Sequence, residues 1–163
     1  MNIFYLDKCP DKAARLQYNK HVVKMILESA QMLCTAHHVD IHGEDVPYKI
    51  AHQHHPCTKW VSESKQHYVW LYNHFIALGK EYTKRYNKVH LSIIKCANIL
   101  KIIPGGIYDK GFTQPPQAMP DEYKDKCSVK AYWNYYIGEK HTVANPKTEK
   151  IYENIHRYGW SNS

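Results

Sequence analysis

Apolar positions recur at helical spacing from Ala13 to Ala36, and the spacing predicts one long helix there, entered at Pro10 and Asp11. The six residues Met1 to Leu6 are mostly apolar and read as a strand or an extended segment. Gly43, Pro47 and Pro56 then break the period. A second helix is expected from a Thr58 cap through Tyr86, and a third apolar segment from Leu91 to the Pro104-Gly105-Gly106 breaker. A proline-rich loop, "FTQPPQAMPDEYK", precedes a helix rich in Tyr and Trp, "SVKAYWNYYIGEK", which Asp121 would cap if the loop is a rigid connector. One more short helix is expected beyond Pro146. No repeat or linker divides the chain, so the reading is all-α, one compact helical domain over 1–163 with long loops.

The first long helix carries an unusual stripe. At 100° per residue, Val22, Val23, Met25, Ile26, Leu27, Ala30, Met32 and Leu33 cover an arc of about 220°, leaving Lys20, His21, Lys24, Glu28 and Gln31 within about 100°. Asn19 opens the same stretch. A helix apolar on most sides is largely buried, so this stripe faces either solvent through a narrow window or a cleft. Lys24 and Glu28 are four apart and can touch. An amine beside a carboxylate suits base excision, in which a deprotonated amine attacks a sugar C1′ and the carboxylate stabilises the positive charge that develops. A solvated ion pair accounts for the same spacing.

Composition narrows the partners. The 163 residues carry a formal net charge of +7, with 12 His and 14 Tyr. A basic surface with many aromatic faces favours a polyanion with stackable bases, which means nucleic acid or a nucleotide. Five cysteines, odd in number and never spaced C-x-x-C, suit a reducing compartment better than a disulfide scaffold. With no signal peptide and no apolar run of membrane-spanning length, the chain is expected to be soluble and cytoplasmic.

Other candidates lie further along. His67, His74 and Glu81 follow at seven-residue intervals, and Glu81 precedes Arg85 by four, the favourable order for a surface pair. The tyrosines at 68, 72, 82 and 86 and Trp60 read mainly as core. Lys88 and His90 fall where the second helix ends, within reach of phosphates. His52, His54, His55 and Cys57 invite a zinc hypothesis, but their spacing matches no zinc signature, so no metal and no cofactor are expected. His55 is instead a lone acid, base or phosphate ligand. The proline-rich loop either holds Gln117, Met119, Asp121 and Glu122 at a site mouth or acts as a connector. Tyr132 and Tyr136, with Lys130 and Lys140, form a candidate stacking and phosphate surface.

The set "NKHVVKMILESAQML", "HHPCTKW", "EYTKRYNKVH", "PPQAMPDEYK" and "AYWNYYIGEK" resembles a family of small phage-encoded proteins over most of the chain. Size, the all-α reading, the short N-terminal segment, the His-Pro element and "YWNYY" also make it similar to pyrimidine-dimer DNA glycosylases of the endonuclease V type. That resemblance implies a helical protein acting on ultraviolet-damaged duplex DNA in the host cytoplasm, with an N-terminal α-amine as nucleophile and a glutamate from the first helix beside the sugar. The family's nucleophile is a Thr exposed by loss of the initiator Met, whereas this chain begins Met1-Asn2. The expected catalytic groups are therefore Glu28 and either Lys24, the Met1 amine or no amine at all, with His21, His55 and Arg85 contacting phosphate or base. The alternatives are an enzyme acting on a free or signalling nucleotide, or a non-catalytic DNA-binding or host-inhibiting protein.

Overall fold

The computed structural model describes residues 1–143, in which six α-helices surround one core and no strand forms. The helices are α1 (Pro10–Leu16), α2 (Asn19–Val39), α3 (Pro56–Glu63), α4 (Lys65–Tyr86), α5 (Leu91–Cys96) and α6 (Ser128–Gly138), with short 3₁₀ turns at Ile99–Lys101, Asp121–Tyr123 and Lys140–Val143. The two long helices α2 and α4 pack together; α1 packs on α4, α3 on both, and α5 on α2. The all-α expectation holds. The helix expected beyond Pro146 lies outside the described residues.

The single helix expected from Ala13 to Ala36 is two helices. Gln17 and Tyr18 are extended between α1 and α2, although neither is a helix breaker. The cause is tertiary. The Arg85 guanidinium donates to Arg15 O at 3.1 Å and to Gln17 O at 2.8 Å, capturing carbonyls at the end of α1. The second expected helix is also split, at Ser64, whose Oγ accepts from Gln66 N at 3.4 Å and donates to Gly111 O at 2.7 Å. His55, rather than Thr58, caps α3 through Nδ1, which accepts from Cys57 N at 3.1 Å. Asp121 caps no long helix. It begins a 3₁₀ turn, and α6 starts seven residues later behind Cys127. Leu91 to Ile103 holds only α5 and one 3₁₀ turn.

The apolar start, Ile3 to Leu6, is buried without belonging to a sheet. Buried carbonyls need donors, and side chains supply them here. Gln17 Nε2 donates to Ile3 O at 3.3 Å, Trp133 Nε1 to Leu6 O at 2.9 Å, and Trp70 Nε1 to Lys8 O at 2.8 Å. His74 holds Gln17 in turn: its Nε2 accepts from the Gln17 amide at 3.0 Å, so its Nδ1–H donates to Pro10 O, also at 3.0 Å. Total burial pushes the His74 pKa down from 6.5 to about 4, keeping the ring neutral in this chain of bonds. The polar spine fixes the N-terminal segment over α2.

Candidate active site

The N-terminal segment ends on Glu28. Asn2 N–H donates to Glu28 Oε2 at 3.0 Å, and the Met1 amine stands 3.8 Å from the same oxygen. The other oxygen, Oε1, faces Lys24 Nζ at 3.3 Å. The Met1 side chain is only 1% exposed and packs against the core, so the thioether is anchored while the amine is presented to the carboxylate.

Asn2 builds the turn that makes this possible. Its Oδ1 accepts from Ile3 N at 2.7 Å and Phe4 N at 3.1 Å, an Asx turn, and its Nδ2 donates to Ala118 O at 2.9 Å. Phe4 follows at φ +53°, a left-handed conformation costly for a bulky residue. The strain is held in place by rings: Phe4 stacks on His21 at 4.3 Å and meets Tyr136 edge-on at 5.2 Å. His21 Nδ1 is 2.5 Å from Tyr136 OH, and Tyr136 stacks on Tyr18 at 4.7 Å. Burial, reinforced by the charges of Lys140 and Lys24, lowers the His21 pKa from 6.5 to about 4. His21 is therefore a neutral ring at neutral pH.

The far wall comes from the loop before α6 and the start of α3. Tyr132 OH donates to Pro116 O at 2.7 Å, and Cys57 Sγ lies 4.0 Å from the same oxygen. Burial pushes the Cys57 thiol up to about 12, so it stays a protonated thiol at neutral pH. His55 is half-buried and its pKa is lowered, first by burial and then by the positive charges of the Met1 amine and His52, with Glu28 pulling the other way. Amine, carboxylate, neutral imidazole and an exposed lysine thus share one neighbourhood.

The structure brings together some of the residues expected from sequence and leaves others elsewhere. Met1, Glu28, Lys24 and His55 form the site, while His21, Tyr132 and Tyr136 are its buried support rather than an exposed stacking surface. Gln31 is half-buried, one turn beyond Glu28, and Lys20 is exposed one turn before Lys24. Lys140 pairs with Glu139 at 2.9 Å and lies 4.6 Å over the Tyr135 ring. Arg85 and Asn19 belong to a clamp at the N-terminus of α2, where Arg85 Nη1 donates to Asn19 Oδ1 at 3.0 Å. Lys88 is exposed past the left-handed Asn87 that closes α4, and His90 caps α5 by accepting from Ser92 N at 3.1 Å. Gln117 turns away and closes its own loop, exchanging bonds with the backbone of Asp125, while Glu122 is exposed. Val23 and Leu27, counted as inward-facing from sequence, are 38% and 40% exposed beside Lys24 and Glu28. Sequence reasoning missed Asn2 and the carbonyls of Pro116 and Ala118; the turn preference of Asn was the one signal available.

Among the described residues no three His, Cys, Asp or Glu side chains converge to hold a metal ion, and no helix is long and apolar enough to cross a membrane. No curated protein and no solved structure matches the chain. A family model described as pyrimidine dimer DNA glycosylase matches residues 1–94, which include every element of the site except the Pro116–Ala118 wall and α6.

Proposed function

Since the chain belongs to the pyrimidine dimer DNA glycosylase family, we propose that it removes a dimerised pyrimidine from duplex DNA with the Met1 amine as nucleophile and Glu28 as the group that stabilises the sugar cation. The observation that carries this reading is the placement of Glu28 Oε2 within 3.0 Å of Asn2 N and 3.8 Å of the Met1 amine. In the reaction the amine lone pair forms a bond to C1′ as the C1′–N1 bond breaks. Glu28 faces the carbon on which positive charge grows and accepts the proton released when the new C–N bond forms. The amine lone pair then forms a C=N bond as the C1′–O4′ bond breaks and O4′ takes up a proton, giving an iminium; loss of a C2′ proton from it expels the 3′ phosphate.

The choice between the two amines follows from their placement. The Met1 amine stands beside the same Glu28 oxygen that holds Asn2 N–H, and its side chain is buried against the core. Lys24 is 68% exposed and sits on the opposite carboxylate oxygen. Its role is to orient Glu28 and to attract phosphate, together with exposed Lys20. The net charge of +7 supplies the long-range attraction to duplex DNA.

The test is borohydride trapping with an irradiated duplex, followed by peptide mapping. An adduct on Met1 is expected, and Glu28→Gln should abolish turnover. Absence of both cleavage and adduct on irradiated duplex, with duplex binding confirmed at low salt, would overturn the proposal.

A further inference from the structure

We infer that His55 is the hydrogen-bond donor to the departing pyrimidine, presenting Nε2–H to the O2 oxygen on which negative charge collects as the glycosidic bond breaks. The inference rests on the glycosylase reading above and assigns to His55 a step which that reading leaves without a residue.

The tautomer is fixed by the fold. His55 Nδ1 accepts from Cys57 N at 3.1 Å, which a protonated Nδ1 could not do. The ring's one proton therefore sits on Nε2. The backbone that carries the ring is held from both sides: His55 N–H donates to His52 O at 2.9 Å, and the preceding strand of chain is pinned to α2 by Ala51 N donating to Thr35 Oγ1 at 3.0 Å. On the other side, Cys57 abuts Pro116 O, two residues from the carbonyl of Ala118 that holds Asn2. The imidazole is thus carried into the neighbourhood of the amine and Glu28, whose charges both act on it. Burial and the adjoining positive charges keep it neutral, so both its acceptor and its donor are in place at neutral pH.

The step balances without a further reagent. The Met1 nitrogen forms the bond to C1′, the C1′–N1 electron pair passes to the pyrimidine N1 and O2, and His55 stabilises that charge through Nε2–H without surrendering the proton. Glu28 takes the proton from the new ammonium, and water protonates N1 of the detached pyrimidine, which stays joined to its dimer partner. A donor fixed in advance toward a developing anion is worth roughly 10²–10³ in rate where such donors have been removed.

The experiment separates base departure from the chemistry that follows it. His55→Asn keeps an oxygen that can cap α3 but removes the Nε2–H donor. Single-turnover rates are measured on a duplex carrying one pyrimidine dimer and on a duplex carrying a preformed abasic site, where no base has to leave. The expected result is a fall of about 10²-fold on the dimer, with borohydride trapping on the abasic duplex within about twofold of wild type. Wild-type activity on both substrates, with His55→Asn either unimpaired or equally impaired on both, overturns the assignment of His55 alone. Wild-type protein inert on both substrates overturns the glycosylase reading and His55 with it.

Discussion

Lys24 with Glu28 on α2 and Glu81 with Arg85 on α4 are both cation–carboxylate pairs at four-residue spacing, an ammonium before its carboxylate in one and a guanidinium after it in the other, and their carboxylates are equally buried at 12% exposure. Their fates differ because of what else converges. At the α4 pair, Arg85 donates to Glu81 Oε2 at 3.1 Å and turns its remaining nitrogens on Arg15 O, Gln17 O and Asn19 Oδ1. Every partner is an oxygen, and the result is a clamp that breaks the α1–α2 run. At the α2 pair the third partner is a chain terminus, a group with a reactive lone pair once deprotonated. Helix spacing brings a pair together, and tertiary contact decides whether it is scaffold or chemistry.

Breaking the α2 pair should produce the largest effect. Glu28→Gln is expected to lower the rate of base removal by about 10³-fold or more while lowering Tm by only a few degrees, since the Gln carbonyl can still accept from Asn2 N–H and what is lost is the charge facing Lys24 and the Met1 amine. Single-turnover kinetics beside a thermal melt check this, and a variant that loses stability in proportion to activity would erase the contrast with α4.

Acid should act on both regions together, because each rests on a neutral histidine, His21 behind α2 and His74 behind α4. Their folded pKa values, about 4, lie below the ordinary 6.5. The stabilisation is therefore complete above about pH 6.5 and is lost as the pH falls toward 4, where the unfolded chain takes up protons that the folded chain refuses. Each histidine accounts for roughly 3 kcal/mol at full extent. Urea unfolding between pH 7 and 4 should show this loss; a flat profile across that window would count against both assignments.

Arg85→Ala sharpens the other side of the comparison. Losing several charge-assisted bonds to partly buried oxygens should cost about 2 kcal/mol and lower Tm by several degrees, with activity per folded molecule within a few-fold of wild type. A large drop in turnover with Tm intact would instead make Arg85 a DNA ligand.

The smallest effect is expected at Lys24→Ala: a rate within about tenfold of wild type, a shallower salt dependence of duplex binding, and the trapped adduct still on Met1. An adduct that disappears in this variant, or that maps to residue 24 in the wild type, would move the nucleophile to Lys24.

Much of this was legible in the sequence, and the rest was hidden for definable reasons. The Lys24 and Glu28 pair could be read because helix geometry is local. The break at Gln17 could not, since the apolar period runs through it and the agent is Arg85, 68 residues away. The proline-rich loop was marked as a possible site edge, yet what it contributes is the backbone carbonyls of Pro116 and Ala118, which carry no side-chain signature. His55 stood out only as a histidine before proline. Its cap, which fixes the tautomer, depends on the start of α3, which sequence placed at Thr58.

The seat of the terminus has a consequence for the order of events in folding. Asn2 is held by a carbonyl 116 residues away and Leu6 by an indole 127 residues away, among the most distant pairings in the described chain. Contacts of such sequence separation form late and slow the approach to the native state. A chain emerging from synthesis carries Met1 and Glu28 long before α6 exists to hold Phe4 and Leu6. Throughout that interval its amine is an ordinary solvated chain end, and its seat beside Glu28 is complete only when Trp133 and Ala118 arrive to hold the segment.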